Sequence, residues 1–177
     1  MDINKLVQYR MVKGDLNLYS PSSDYKVKYV DKHNYINHLD DIKIVSKMII
    51  NQIPDWKEAP TVEMVIQRFI ANSYTYLFYY KDKCIGWNWG NPNFTYNWVD
   101  IDYKLLPNET YLGGCFVSLN KKDRPNNAGY SMCYLFFKES LSQGFDAMYG
   151  VTDDWNRRAS FLYYKLGWKT YDFLLAT

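Results

Sequence analysis

Apolar and polar positions alternate along this chain with two different periods, and the changes of period mark out its elements. Residues 1–24 mix polar and apolar types without a clear period and end in the turn-rich Ser20-Pro21-Ser22-Ser23-Asp24. Residues 26–30 alternate, with Val27 and Tyr29 opposite Lys26 and Lys28, and predict a short strand. From 33 to 53 the spacing of Ile36, Leu39, Ile42, Val45, Met48, Ile49 and Ile53 is helical, and Pro54 stops it. A second helix fits 61–71, with Thr61 as N-cap just after Pro60. The run SYTYLFYYK at 73–81 predicts a strand, and Asp82-Lys83 a turn into another strand at 84–89. Residues 91–97 carry turn chemistry, and 98–106 predict a further strand before Pro107-Asn108.

The segment 111–119, YLGGCFVSL, is short and uncharged, as a central strand buried on both faces would be. Gly113-Gly114 within it predicts a bulge or a close backbone approach. A basic loop at 120–127 leads into a helix whose Tyr130, Cys133, Tyr134, Phe137 and Leu141 share one face, with Gly144 past its end. Residues 147–152 predict a strand, 156–166 a helix closed by Gly167, and 168–176 a last strand. The order β-α-α-β-β-β-β-α-β-α-β is an α/β (α+β) arrangement, a mixed sheet flanked by helices on both faces.

Length and composition narrow this picture. Residues 1–177 suit one domain with a core of its own. Hydrophobic residues make up 47% and aromatics 19%, which excludes a disordered chain. The net charge of +2 predicts neither nucleic acid nor membrane as partner. Three distant cysteines without CxxC spacing argue against a disulfide framework and for a reducing, cytoplasmic location. With only His33 and His38, no zinc site or Ser/His/Asp triad is expected. The N-terminus lacks the apolar run of a signal peptide, and no segment has the ~18–20 apolar residues needed to span a bilayer.

Two local patterns carry chemistry. In the first, a strand, a loop with Lys121, Lys122 and Arg124, and the helix start at Gly129 form a site for an anion such as phosphate, because free N–H groups and the helix dipole meet there. The alternative is a solvated basic loop. In the second, Asn156, Ala159 and Tyr163 fall on one helical face before Gly167-Trp168. The alternative there is an amphipathic helix with a glycine cap and an aromatic anchor.

Together, at this spacing, the two patterns resemble the GCN5-related N-acetyltransferase superfamily. The family's phosphate loop reads Gln/Arg-x-x-Gly-x-Gly/Ala. Arg124-Pro125-Asn126-Asn127-Ala128-Gly129 matches it at the first and last positions. Asn127 replaces the first glycine, and Asn tolerates left-handed backbone. Pro125 removes one possible N–H donor. The later motif, Asn-x-x-Ala/Ser-x-x-x-Tyr-x-x-x-Gly-Phe/Trp, is matched throughout from Asn156 to Trp168.

The resemblance implies acetyl-CoA as acyl donor, no metal, and splayed fourth and fifth strands at 112–118 and 147–152. The pantetheine arm would pair with the backbone of Phe116 and Val117, with an oxyanion donor near 115–117. The diphosphate would lie beside Arg124 on the N–H groups of Asn127, Ala128, Gly129 and Tyr130. Asn156 would bind a pantetheine amide, and Tyr163 would protonate the leaving thiolate. The expected reaction moves an acetyl group to a primary amine on a small molecule: an amino sugar, a nucleotide-linked amino sugar or an amino acid. Alternatives are a non-catalytic CoA-binding module, or an acyltransferase acting on protein or nucleic acid. A homodimer is left open. Cys115, a rival nucleophile, reads as a small buried residue. Glu109, Asp123, Asp153, Asp154, Asp100 and Asp102 are unresolved as general bases, with Asp153 or Asp154 the expected N-cap before Asn156. Trp87, Trp89 and Tyr76 are candidates for contact with the acceptor; the alternative is that such rings form the core.

Overall fold

A computed structural model describes residues 4–54, 60–93, 105–122 and 124–176 of the chain. Among these residues seven strands and four α-helices follow in the order β1 (Asn4–Val12), β2 (Tyr25–Val30), α1 (Leu39–Gln52), α2 (Val62–Ile70), β3 (Tyr74–Tyr80), β4 (Lys83–Asn91), β5 (Glu109–Val117), α3 (Ala128–Ser142), β6 (Ala147–Asp153), α4 (Arg157–Leu166) and β7 (Lys169–Ala176). A 3-10 turn at Tyr35–His38 precedes α1. The strands hydrogen-bond in the order β2-β3-β4-β5-β6-β1-β7, and the sheet is mixed. No described helix is long and apolar enough to cross a membrane.

The chain forms two compact units, Met1–Tyr19 with Asn91–Gly113 and Phe137–Thr177, and Ser20–Gly90 with Gly114–Phe136. In the second unit, β2, β3 and β4 are antiparallel neighbours. The loop between β3 and β4 is Lys81-Asp82, one residue earlier than expected, with φ of 47° and 63°. Two left-handed residues give the turn whose twist matches the flanking strands. Ile42, Val45 and Ile49 of α1 and Val65 and Phe69 of α2 pack on Leu77, Tyr79, Trp87, Trp89 and Phe116. The opposite face meets α3, where Phe136 stacks on Tyr74 at 6.2 Å and meets Tyr76 edge-on at 5.6 Å. Helices thus cover both faces of this unit.

A close approach of β4 and β5 depends on Gly86. A Cβ there would lie 2.2 Å from the Phe116 carbonyl oxygen and 2.9 Å from the Val117 Cα. Both obstacles are backbone, so the strands would have to part. Gly86→Ala is therefore expected to destabilise the chain by about 3 kcal/mol. Thermal unfolding would register this as a fall in Tm of roughly 6–12 °C for a chain of this size. An unchanged Tm would mean that β4 and β5 are not held this closely.

In the first unit, β1 lies antiparallel between β6 and β7. This strand was not expected from the sequence. Its buried Val7, Tyr9 and Met11 do alternate, but Gln8 between them is also buried, which blurs the period. β5 pairs in parallel with β6 through Glu109–Tyr111 against Ala147–Tyr149. Glu109 is buried, and its carboxylate accepts hydrogen bonds from Tyr149 Oη at 3.2 Å and Leu106 N at 2.9 Å, with Arg10 Nη2 at 3.5 Å. Gly167, left-handed at φ 101°, caps α4, and a Cβ there would meet the Asp15 carbonyl.

Other boundaries moved by one or two residues. β5 begins at Glu109 rather than 111, because Pro107 and Asn108 form the turn before it. The strand expected at 98–106 lies outside the described residues except for Leu105 and Leu106, which are not in a strand. Asp100, Asp102 and Asp123 lie outside them too.

Candidate functional site

In the second unit the basic loop is built by short-range polar contacts. Gln52, the last residue of α1, donates from Nε2 to Ser118 Oγ at 3.2 Å, and its Oε1 accepts from Leu119 N at 2.5 Å. Asn120 N donates to Ser118 Oγ, and Lys122 N to Asn120 Oδ1. These contacts turn the chain out of β5 and aim it at the start of α3. Asn127 then adopts φ of 66° and its carbonyl accepts the first helical hydrogen bond, from Ser131 N at 2.9 Å. The left-handed tolerance of Asn thus does what a glycine would do here. Gly129 sits 3.7 Å from Val117 Cγ1, measured from where a Cβ would stand.

The N–H groups of Ala128 and Gly129 precede the first helical hydrogen bond of α3, and the helix dipole adds positive potential there. A cavity of about 570 Å³ lies elsewhere, in the first unit, but the loop borders its own cavity of about 410 Å³, lined by Lys121, Arg124, Pro125, Asn126 and Asn127. Arg124 Nε is buried without a hydrogen-bond partner. An unsatisfied guanidinium N–H, two basic side chains and a helix start fit an anionic group such as a diphosphate.

β5 offers backbone along one edge. The Phe116 carbonyl faces Gly86, and Ser118 N donates to Ile85 O at 2.8 Å, so these two residues turn their backbone toward β4. By the alternation of a strand, the N–H and C=O of Val117 point the other way. Of the two residues expected to offer backbone, Val117 therefore has it turned away from β4 and Phe116 does not.

Cys115 corrects the expectation of a small buried residue: it is exposed. Gly114, at φ 95°, interrupts the regular strand just before it, and burial on both faces ends there. A side-chain interaction with Cys133 lowers the pKa of the Cys115 thiol, against desolvation, which raises it. Cys133 is buried, and that interaction together with burial pushes its thiol well above the usual value.

Trp87 and Trp89 are each 2% exposed and lie in the core beneath α1 and α2. Their rings meet edge-on at 5.7 Å, and Arg68 lies 5.3 Å over Trp89. Tyr76, 3% exposed, faces α3 instead. The register decides this division, since Trp87 pairs with Leu77 and Tyr76 with Asn88.

In the first unit, Asn156 is the N-cap of α4, its Oδ1 accepting from Ala159 N at 3.2 Å. The expected cap, Asp153 or Asp154, is displaced because Asp153 ends β6 and Asn156 is the residue adjoining the first helical turn. Tyr163 is 6% exposed, with its ring 4.9 Å from both Tyr9 and Trp168. Its hydroxyl lies against Gly150, where a Cβ would come within 3.1 Å. Sequence reasoning missed Gln52, whose role depends on contacts far along the chain. It also missed Gly150, although a glycine inside the short apolar strand YGVT signals a close approach.

No protein-family model and no curated protein matches the sequence. Solved structures do match. A GCN5-related N-acetyltransferase from Kribbella flavida is similar over 98% of this chain and 57% of its own, at 11% identity and a TM-score of 0.61. AAC(6')-Iy, in complex with the bisubstrate analogue CoA-S-monomethyl-acetylneamine, is similar over 85% and 94%, at 15% identity and a TM-score of 0.56. An aminoglycoside acetyltransferase from an uncultured soil metagenomic sample, in complex with trehalose, is similar over 82% and 88%, at 13% identity and 0.55. The chain spans only 52%, 57%, 62% and 64% of the length of four of the structures it matches almost end to end. The mixed sheet, its helices and these matches agree that the chain has the fold of the GCN5-related N-acetyltransferases.

Proposed function

We propose that the chain is an acetyl-CoA-dependent N-acetyltransferase acting on a primary amine of a small molecule. The observation that carries this reading is the loop before α3, where Arg124 Nε is buried without a partner beside a basic cavity and a helix start. Such a site suits the diphosphate of CoA. Arg124 and the N–H groups of Asn127, Ala128, Gly129 and Tyr130 bind it. Val117, with its backbone turned away from β4, pairs with the pantetheine arm as an added strand would. The side-chain amide of Asn156 keeps its N–H groups free of the capping bond, which uses Oδ1, and donates to a pantetheine carbonyl.

The acyl donor supplies an activated thioester, and the chain's residues act around it. A backbone N–H near Cys115–Val117 stabilises the oxyanion as the amine attacks. Tyr163 then gives its proton to the leaving thiolate. A phenol at ~10 and a thiol at ~8.5 are close enough in acidity for that transfer. Glu109 is held by Arg10, Tyr149 and Leu106 and is not assigned as base.

Amino sugars lead the acceptor candidates, because two similar structures are acetyltransferases described with an acetylneamine conjugate and as an aminoglycoside enzyme. Nucleotide-linked amino sugars and amino acids follow. The test is CoA release from acetyl-CoA, read with a thiol-trapping dye across a panel of these amines. Release that depends on one amine class is the expected result. Tight CoA binding with no release for any amine would instead identify a non-catalytic module.

A further inference from the structure

We propose that the cavity of about 570 Å³ in the first unit binds a small organic carboxylate, with Arg10 as its anchor. The proposal goes beyond the acetyltransferase reading and does not depend on it. Strand register builds the site. Arg10 pairs with Tyr149 and Val12 with Ala147 across β1 and β6, and Glu109 of β5 pairs with Ala147. Directly paired residues share a face of a sheet, as do alternate residues along one strand, so these five side chains stand on one face. Tyr163 packs on the other face, against Gly150, the neighbour of Tyr149.

Arg10 is held by one edge of its guanidinium. Nε donates to Tyr149 Oη at 2.6 Å, and Nη2 lies 3.5 Å from Glu109 Oε1. Glu109 is buried and also accepts from Tyr149 Oη and Leu106 N. These bonds fix the plane of the guanidinium and leave the edge that carries one N–H on each Nη. That edge is a planar fork, and its two parallel N–H groups match the two oxygens of a carboxylate. The Arg10 side chain is 34% exposed against 5% for Glu109, so a ligand can reach the cation but not its partner. Offsetting a buried Glu109 requires neither a cavity nor a second cation, yet both are present. Lys13 stands exposed at the rim with no ion pair of its side chain among the described residues. Asp146 lies at the same rim, its Oδ2 accepting from Asn108 Nδ2 at 2.9 Å. Glu109 and Asp146 offset the two cations, so recognition rests on the fork and not on net charge. This favours a planar monoanion over a phosphate, whose second charge meets two carboxylates. Val12, Leu106, Pro107 and Ala147 supply apolar wall for a short hydrocarbon body, and the volume is in the range of small-molecule sites.

The test titrates the full chain with isocaproate, a carboxylate with a branched hydrocarbon body and no amine to acetylate. Binding is read from the arginine Nε–H signals in nitrogen-resolved NMR spectra. Saturable binding that shifts the Arg10 signal is expected. Its affinity should be about tenfold or more above that of isocaproamide, which cannot accept the fork as an anion, and above that of inorganic phosphate. Arg10→Lys keeps the charge and removes the fork, and should lower the affinity about tenfold. Lys13→Glu covers the case in which Arg10→Lys fails to fold because Glu109 loses its partner. It changes only an exposed side chain, and a like charge at the rim should again weaken binding about tenfold at low salt. No saturable binding of isocaproate, or equal binding of the amide, would overturn the proposal. So would phosphate binding as tightly as the carboxylate, or an affinity unchanged by either substitution. Affinity lost in Gly129→Glu but kept in Arg10→Lys would put the probe at the loop before α3 and overturn it too.

Discussion

Gly129→Glu is expected to raise the Kd for acetyl-CoA about a thousandfold without unfolding the chain. The two effects have separate causes. A Cβ at 129 meets only Val117 Cγ1, at 3.7 Å, which is an ordinary contact. A carboxylate in the first turn of α3 also complements the helix dipole, worth about 0.3–1 kcal/mol in favour of folding. Tm should therefore hold or rise slightly. The same carboxylate would stand where the diphosphate is proposed to bind. Like charges about 4 Å apart cost about 4 kcal/mol at the effective dielectric near a protein surface, and each 1.4 kcal/mol is tenfold in affinity. Gly129→Gln separates bulk from charge, since it should lose much less affinity than Glu. The gap between the two should narrow as salt is added. Calorimetric titration of each variant with acetyl-CoA reads all three quantities, and unaltered affinity in Gly129→Glu would move the diphosphate away from this loop.

How much of this site was legible in the sequence differs from residue to residue. Asn127 was legible because local chemistry decides its backbone: a short polar side chain before a helix tolerates φ of 66°. Gly167 was legible for the same kind of reason, and its left-handed cap follows. Thr61 caps α2 as expected, accepting from Met64 N at 3.3 Å. Where burial and pairing decide, the sequence was less informative. The strand period of β1 is blurred because Gln8, a polar residue, is buried between Val7 and Tyr9. The aromatics of β3 and β4 divide between the two faces only through the register, which pairs Trp87 with Leu77 and Tyr76 with Asn88. That single register sends the tryptophans under α1 and α2 and the tyrosine toward α3. Cys115 departs from the expected burial because an uncharged run implies burial on both faces, while that burial is interrupted at the left-handed Gly114 and Cys115. Except at the cap of α4, which falls on Asn156 rather than Asp153 or Asp154, the local rules hold where a side chain answers to its own backbone. They fail where it answers to a neighbouring strand.

Tyr163→Phe is expected to lower kcat roughly 100- to 1000-fold, within the usual contribution of a general acid, while the Kd for acetyl-CoA stays unchanged. The substitution removes one oxygen and keeps the ring that packs 4.9 Å from Tyr9 and from Trp168. Stability should change by only about 1 kcal/mol, the worth of a hydrogen bond at most. A loss in kcat without a loss in folding or donor binding isolates the proton as the missing part. The position of the hydroxyl can be tested as well as its presence. A Cβ on Gly150 would approach that oxygen to 3.1 Å, so Gly150→Ala would displace it by a few tenths of an ångström without removing it. Its kcat should fall between the unsubstituted chain and Tyr163→Phe. Acyl donors whose thiols are more acidic leave without much help from a proton. The deficit of Tyr163→Phe should therefore shrink with such donors, whereas a structural defect would slow all donors alike. Steady-state kinetics with a series of acyl thioesters on one amine makes the distinction. Equal turnover of Tyr163→Phe and the unsubstituted chain would give the leaving thiolate its proton from water, and return Tyr163 to the core that its neighbours already form.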